Sequence, residues 1–260
     1  MVDAAHDSNR GNAVLIDPGR GDLLYCMHED STPENPMLFR YTSNRRRKEL
    51  QIKKRRRDLS RRMALRPELQ PALDRIAAHS HRQHSLAAFS DYLRARSAET
   101  HLLAPFFGQT FHRQARWTAF QLQQKADTRL AKDIRRKYGE DPLLIIGDHT
   151  SPHMRYQEPA RGLGMRQMLV RQGFRIKLID EFNTSKICPR CDNVTTTFLM
   201  RPNPRPWRDG YRLVHGLKNC NGCGAIWNRD LAATLNFLRI LQAHRSGEDR
   251  PAALRRVTET

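Results

Sequence analysis

"LLIIGD", residues 143–148, places four consecutive apolar residues between Pro142 and the Gly147-Asp148 pair. A strand with one wet face alternates apolar and polar positions, so an unbroken apolar run reads as a strand covered on both faces, the habit of a parallel sheet. The residues downstream agree with this. A helical pattern at about 163–172 is closed by Gly173, and "FRIKLIDEF" (174–182) then alternates Phe174, Ile176 and Leu178 before Ile179. Strand, helix, strand in that order is the signature of a right-handed parallel crossover.

Upstream, "NAVLIDPGRGDLLYCM" (12–27) predicts a strand to Ile16, a turn at Asp-Pro-Gly-Arg-Gly and a second strand from Leu23, and "MLFRYT" (37–42) supplies a third. Residues 1–42 therefore read as an antiparallel meander. Composition then changes: between Arg45 and Arg62, eleven of eighteen residues are Lys or Arg. No core can be built from that stretch, which fits one solvated basic helix with Leu50 and Leu59 as its apolar points. Further helical patterns end in "RWTAFQLQQKADTRLAKDIRRKYGEDP" (116–142), where Trp117, Phe120, Leu130, Ile134 and Tyr138 recur at helical spacing. Residues 43–140 read as a helical insertion. At the other end, "NRDLAATLNFLRILQAH" (228–244) predicts a helix with Asn228 as N-cap and Leu231, Leu235 and Leu238 on one face. The whole is an α/β, RNase H-like core: 1–42, then the insertion 43–140, a second core part 141–187, a cysteine module 188–227, a last helix 228–246 and a frayed polar tail 247–260.

Lys and Arg number 46 against 27 acidic residues, a formal net charge of +19. Self-repulsion of that size favours a polyanionic partner, nucleic acid ahead of an anionic membrane surface, although a basic protein can also be merely soluble. No apolar signal segment opens the chain, and no apolar run approaches the roughly 18 residues of a membrane span, so the expectation is a protein neither secreted nor membrane-bound. Arg45, Arg46, Arg47, Lys48, Lys53, Lys54, Arg55, Arg56, Arg57, Arg61 and Arg62 are candidate phosphate contacts. A solvated helix face is the plainer alternative. "KKRRR" (53–57) would also serve nuclear import in a host with a nucleus; otherwise a cytoplasmic location is expected.

Cys188, Cys191, Cys220 and Cys223 form two Cys-x-x-Cys pairs, the spacing that wraps one tetrahedral Zn²⁺; a redox pair is the runner-up. Cys26 reads as a small core residue. His149 and His153 are four apart, but Pro152 between them excludes a helical metal pair, and they stay unassigned. Three acids are each ordinary alone: Asp17 as a turn opener, Asp230 in a helix's first turn, Glu181 at a strand end. The inferred topology gathers them at one end of the sheet, where carboxylates repel unless cations intervene. Two Mg²⁺ or Mn²⁺ would answer that and support hydrolysis of a phosphodiester.

Taken with these residues, "IDPGRG", "IIGD", "DEFNTSKICPRC" with "CNGCG", and "NRDLAATLNF" resemble the RuvC nuclease and zinc-ribbon portion of transposon-encoded RNA-guided nucleases, TnpB and especially its Fanzor relatives. The resemblance implies a metal-dependent DNA endonuclease with DNA and guide RNA as partners and Asp17, Glu181 and Asp230 as catalytic ligands. Asp148 competes with Glu181 for the middle position, since TnpB proteins carry a glutamate near the end of the fourth strand. Thr184, Ser185 and Lys186 are expected to steady the loop or touch substrate phosphate. Ala232 replaces the asparagine common in the family's last helix, which implies a missing supporting contact. The chain begins almost at the first nuclease strand, so the family's regions that grip guide RNA are expected to be absent from this sequence, and a catalytically inactive nucleic-acid binder is the alternative.

Overall fold

The computed structural model describes residues 11–148, 162–204, 207 and 209–256. His149 and His153 lie outside the described residues. The chain divides into two compact units, one of residues 1–43 and 127–260, the other of 44–126.

The first unit is built on a five-stranded mixed sheet. Strand β1 (Ala13–Asp17) pairs antiparallel with β2 (Asp22–His28), which pairs antiparallel with β3 (Leu38–Thr42). On its other side β1 runs parallel to β4 (Leu143–Gly147), and β4 parallel to the edge strand β5 (Arg175–Ile179), giving the order β3-β2-β1-β4-β5. The apolar runs acquire their reason here. Ala13, Leu15, Leu143 and Ile145 face one core cluster and Val14, Ile16, Leu144 and Ile146 the opposite one, so each central strand is covered on both faces. Cys26 is fully buried within the second cluster, which pushes its thiol far above the usual range. At the edge, Ile176 packs but Leu178 is 52% exposed, so the alternation expected for this strand does not translate into burial at every position.

Between β3 and β4 run helices α1 (Ser43–Glu49), α2 (Ile52–Ala64), α3 (Leu69–Ala77), α4 (Leu86–Phe107) and α5 (Thr110–Tyr138). The basic run is two helices rather than the single one expected. Gln51 adopts φ +50°, a left-handed conformation that ends α1 beside the buried Leu50 before α2 begins. The insertion also ends earlier than residue 140, because Leu130, Ala131, Ile134 and Tyr138 of α5 are buried in the sheet's second core cluster. Tyr138 donates to the Cys26 carbonyl at 3.1 Å, tying that part of the helix to β2. Trp117 and Phe120, expected to continue the same apolar stripe, are 60% and 51% exposed.

After β4 come α6 (Gly162–Arg171), β5 and the cysteine module, then α7 (Arg229–Arg245), which packs on β1 and β2. Asn228 caps α7 as expected, accepting from the amides of Asp230 and Leu231. The tail is not frayed at its described residues. Leu254 is fully buried in the first core cluster, and Arg256 makes a bidentate pair with Asp180, both bonds 2.9 Å. Replacing Leu254 by Ala is expected to cost about 2–5 kcal/mol in urea unfolding; a loose tail would give no change.

Candidate active site and metal centre

The apolar β1 run stops where Asp17 meets Pro18, and the turn closes through a Gly19 N–H donated to the Asp22 carbonyl at 2.9 Å. A side chain at Gly19 would approach that oxygen to 2.7 Å, so the turn requires glycine. The parallel register Ile16↔Ile146 sets Asp17 at the same sheet end as Gly147, and Gly147 in turn is paired with Ile179. Two residues beyond Ile179, Glu181 turns back across β4: a Cβ on Gly147 would run into its carboxyl group and lie 2.8 Å from its Cγ. Glycine at 147 thus leaves the volume into which an acid just beyond the outer strand turns back. Asp230, in the first turn of α7, completes the group.

Electrostatics give the same grouping. The Asp17 carboxyl is held well above the usual carboxylate range, first by burial, then by the charges of Asp230 and Glu181, against an opposing pull from Arg229. Asp230 is also raised, chiefly by burial, with Arg229 lowering it and Asp22 raising it. Burial and the Asp230 charge push the Tyr25 phenol, opposite Asp17 in the β1–β2 register, up to about 12. Asp148 is held elsewhere: it pairs with Arg166 at 2.7 Å, and Arg166 also donates to the Gly147 carbonyl.

The backbone around Glu181 is tied on several sides. Thr184 donates to the Glu181 carbonyl from its hydroxyl at 2.9 Å and its amide at 3.2 Å. Asn236 of α7, fully buried, donates to the carbonyls of Thr184 and Ile187, each at 2.8 Å. Arg250 donates to the carbonyls of Asp180 and Phe182, on either side of Glu181, at 2.9 and 3.5 Å. Sequence reasoning missed Asn236 and Arg250. An asparagine inside the apolar "TLNFLRIL" was a usable signal; an arginine in a polar tail was not. Ala232 is buried in the first core cluster, and the amide tie to the loop comes from Asn236, one turn on.

Among the basic candidates, Arg47, Lys48, Lys53, Lys54, Arg56, Arg57, Arg61, Arg62 and Lys186 are exposed. Arg45 pairs with Glu49 at 3.0 Å, and Arg55 is half-buried. Arg46 is buried, unlike most of the other basic candidates.

The four cysteines converge within a small β module. Strands β6 (Thr195–Thr196), β9 (Leu217–Cys220) and β10 (Ile226–Asn228) form a three-stranded antiparallel sheet in the order β10-β9-β6, with β7 (Met200–Pro202) and β8 (Tyr211–Leu213) as a separate hairpin. All four sulfurs lie within 4.8 Å of one another, with Cys188–Cys223 at 3.8 Å and Cys191–Cys220 at 3.3 Å. Sulfurs on the corners of a Zn²⁺ tetrahedron with bonds of about 2.3 Å stand roughly 3.8 Å apart, so this cluster could hold zinc. Its surroundings act unevenly: donors point at three of the sulfurs, while at Cys223 a lowering backbone hydrogen bond from Ala225 is outweighed by burial and hydrogen bonds with the other cysteines, which push the thiol up to about 11. Trp227 Nε1 points at Cys188 Sγ at 3.2 Å, the Gly222 and Cys223 amides point at Cys220 Sγ at 3.4 and 3.5 Å, and hydrogen bonds from Asn193 lower the Cys191 thiol to about 6. A side chain at Gly222 would meet the Asn193 amide, so that position is glycine. Arg239 of α7 grips Asp192, beside the first cysteine pair, with two bonds of 2.7 and 2.9 Å.

Residues 165–237 match the family model of the Cas12f1-like TNB domain. The match runs from α6 through the cysteine module into α7, and so includes Glu181, the four cysteines and Asp230. No curated protein matches the chain.

Two outcomes are expected. Wild type should bind one zinc per chain, and Cys223→Ser should weaken that binding more than about 100-fold in a colorimetric chelator competition. Asn236→Ala strands two buried carbonyls and should cost roughly 2–4 kcal/mol in denaturant unfolding.

Proposed function

We propose that the first unit is an RNase H-like core of the RuvC type, and that the protein is a metal-dependent DNA endonuclease related to the transposon-encoded, RNA-guided nucleases. The observation that carries this reading is the approach of Glu181 over Gly147 to an Asp17 whose acidity is suppressed by burial and then by the charges of Asp230 and Glu181. Buried like charges are a liability in a metal-free protein and an asset to one that binds divalent cations. The sheet order, with an antiparallel meander on one side of β1 and two parallel strands on the other, supports the fold assignment. The TNB match over 165–237 supports the family.

In this reading Asp17, Glu181 and Asp230 supply the hard oxygen ligands that suit Mg²⁺ or Mn²⁺. When bound, such a pair would polarise the scissile phosphate and make a water molecule more acidic. The protein's own part is to fix the carboxylates. Thr184, Asn236 and Arg250 hold the Glu181 backbone, while the Asn228 cap fixes the first turn that carries Asp230. Positive side chains on α2 would neutralise phosphates of the DNA or of a guide RNA. The stretch 53–57 would direct the protein to the nucleus in a host that has one. The Fanzor-like assignment rests on Glu181 serving as the middle acid.

Asp17→Asn, Glu181→Gln and Asp230→Asn should each lower Mn²⁺-dependent cutting of single-stranded DNA by more than about 100-fold. Undiminished cutting by the three zinc-loaded variants would refute the proposal and leave a nucleic-acid binder. Stability gives a second check. The folded pKa of Asp17 lies above the unfolded value of 3.8, so folding is favoured when this group is protonated and stability falls as pH rises through the folded pKa. Without divalent cations, Asp17→Asn should therefore melt a few degrees higher than wild type at pH 7, and the difference should vanish near pH 3. Mn²⁺ should raise the melting temperature of wild type and leave that of the variant nearly unchanged.

A further inference from the structure

Trp117 and Phe120 sit one turn apart on α5 with their ring centroids 5.5 Å apart and their planes 23° from parallel, 60% and 51% exposed. A large apolar pair standing in water has a cost, and in the second unit its surroundings are specific. No Asp or Glu occurs anywhere in residues 110–126. Arg113, one turn before Trp117, and Gln121, Gln124 and Lys125, after Phe120, are all exposed. Arg116, beside Trp117, also lines a groove of about 630 Å³ together with Arg55, Arg56, Phe107 and Phe111. Arg62 lies over the Phe111 ring at 3.8 Å.

We infer that this face of α5 is a stacking platform for unpaired bases of a single-stranded nucleic acid, with Arg113 and Lys125 of the same helix, exposed on either side of the ring pair, placed to meet its phosphates. Flat aromatic faces take any base, and cations beside them take the backbone. A duplex keeps its base faces stacked within the helix and offers nothing to such rings. A protein partner is the poorer fit, because a stable interface buries about 800 Å² on each side around an apolar centre. Here polar positions closely surround two rings: Arg113, Gln114 and Thr118 beside Trp117, Gln121, Gln123 and Gln124 beside Phe120. Those glutamine amides are suited to base edges. The inference does not depend on the carboxylate chemistry, since it concerns residues of the other unit and is read by binding alone.

The test is fluorescence anisotropy of labelled oligo(dT) and oligo(U) 20-mers with the full zinc-loaded chain, without divalent cations so that no cleavage intrudes. Trp117→Ala/Phe120→Ala should weaken binding about 10- to 100-fold, with the salt dependence unchanged, because stacking releases no counterions. Trp117→Tyr should keep most of the affinity. Wild type should bind an abasic strand of equal length as weakly as the double variant binds oligo(dT), an arm that needs no folded variant. Comparing the two oligomers tells whether the site prefers DNA or RNA, and either preference supports it. Undiminished binding by the double variant, an equal loss on duplex DNA, or an abasic strand bound as tightly as oligo(dT) would overturn the inference. A change from dimer to monomer in the double variant with strand affinity retained would do the same, and would assign the rings to contact between copies.

Discussion

The Asn236 side chain is the point on which the arrangement turns. It is fully buried, a position that strongly penalises an amide unless every polar atom is engaged. Here each is: the amide nitrogen donates to two carbonyls of the Thr184–Ile187 segment, and the oxygen accepts from Arg239 at 3.2 Å. Arg239 passes the link on to Asp192, beside the first cysteine pair. One helix therefore presents a carboxylate at its start, fixes the loop behind a second carboxylate in its middle, and anchors the cysteine module three residues later. Apolar packing of α7 against β1 and β2 holds the helix to the sheet but is indifferent to small rotations. The directional bonds of Asn236 set its register.

That register matters because the sheet end is electrostatically unfavourable on its own. Three acids lean towards one region, and the arginines that oppose them, Arg229 and Arg40, are both exposed. The stabilising energy has to come from elsewhere in the first unit. The two-sided core of β1 and β4 supplies most of it, and the packing of Leu254 and the bonds of Arg250 and Arg256 supply more at Asp180 and Phe182, directly beside Glu181. Strain or repulsion at a site, balanced by ordinary packing around it, is the usual pattern where a fold keeps charges together for use.

Much of this was legible in the sequence, for identifiable reasons. "LLIIGD" announced a strand with two dry faces because period two disappears when both sides are covered, and the Cys-x-x-Cys pairs announced a convergent four-cysteine cluster because few other constraints ask for that spacing. The misses fall where a residue's fate is decided by distant neighbours. Nothing local distinguishes Trp117 and Phe120 from Leu130 and Ile134, since all four keep helical spacing; only the presence of the sheet under the second half of α5 does. The break at Gln51 has no glycine or proline to mark it, and its left-handed φ is tolerated by an ordinary side chain. Leu254 looked like a tail residue because one leucine among charges carries no periodicity, and Arg46 looked like a surface cation because most of the basic run around it is exposed.

Gly147 and Glu181 show how far a pair of distant residues can be read as one feature. Glu181 is one residue removed from the carboxylate-bearing Asp180, which faces Arg256 instead, so the choice between them is made by direction and not by proximity. Glutamate has the additional methylene needed to cross β4, and it can cross only where β4 offers no side chain. A larger residue at 147 would fill the space that the Glu181 carboxyl now uses. An acid on β4 and an acid crossing from beyond β5 are therefore mutually exclusive solutions to the same geometric demand. With glycine at the end of β4 and Asp148 turned to Arg166, the proposed reading takes the second.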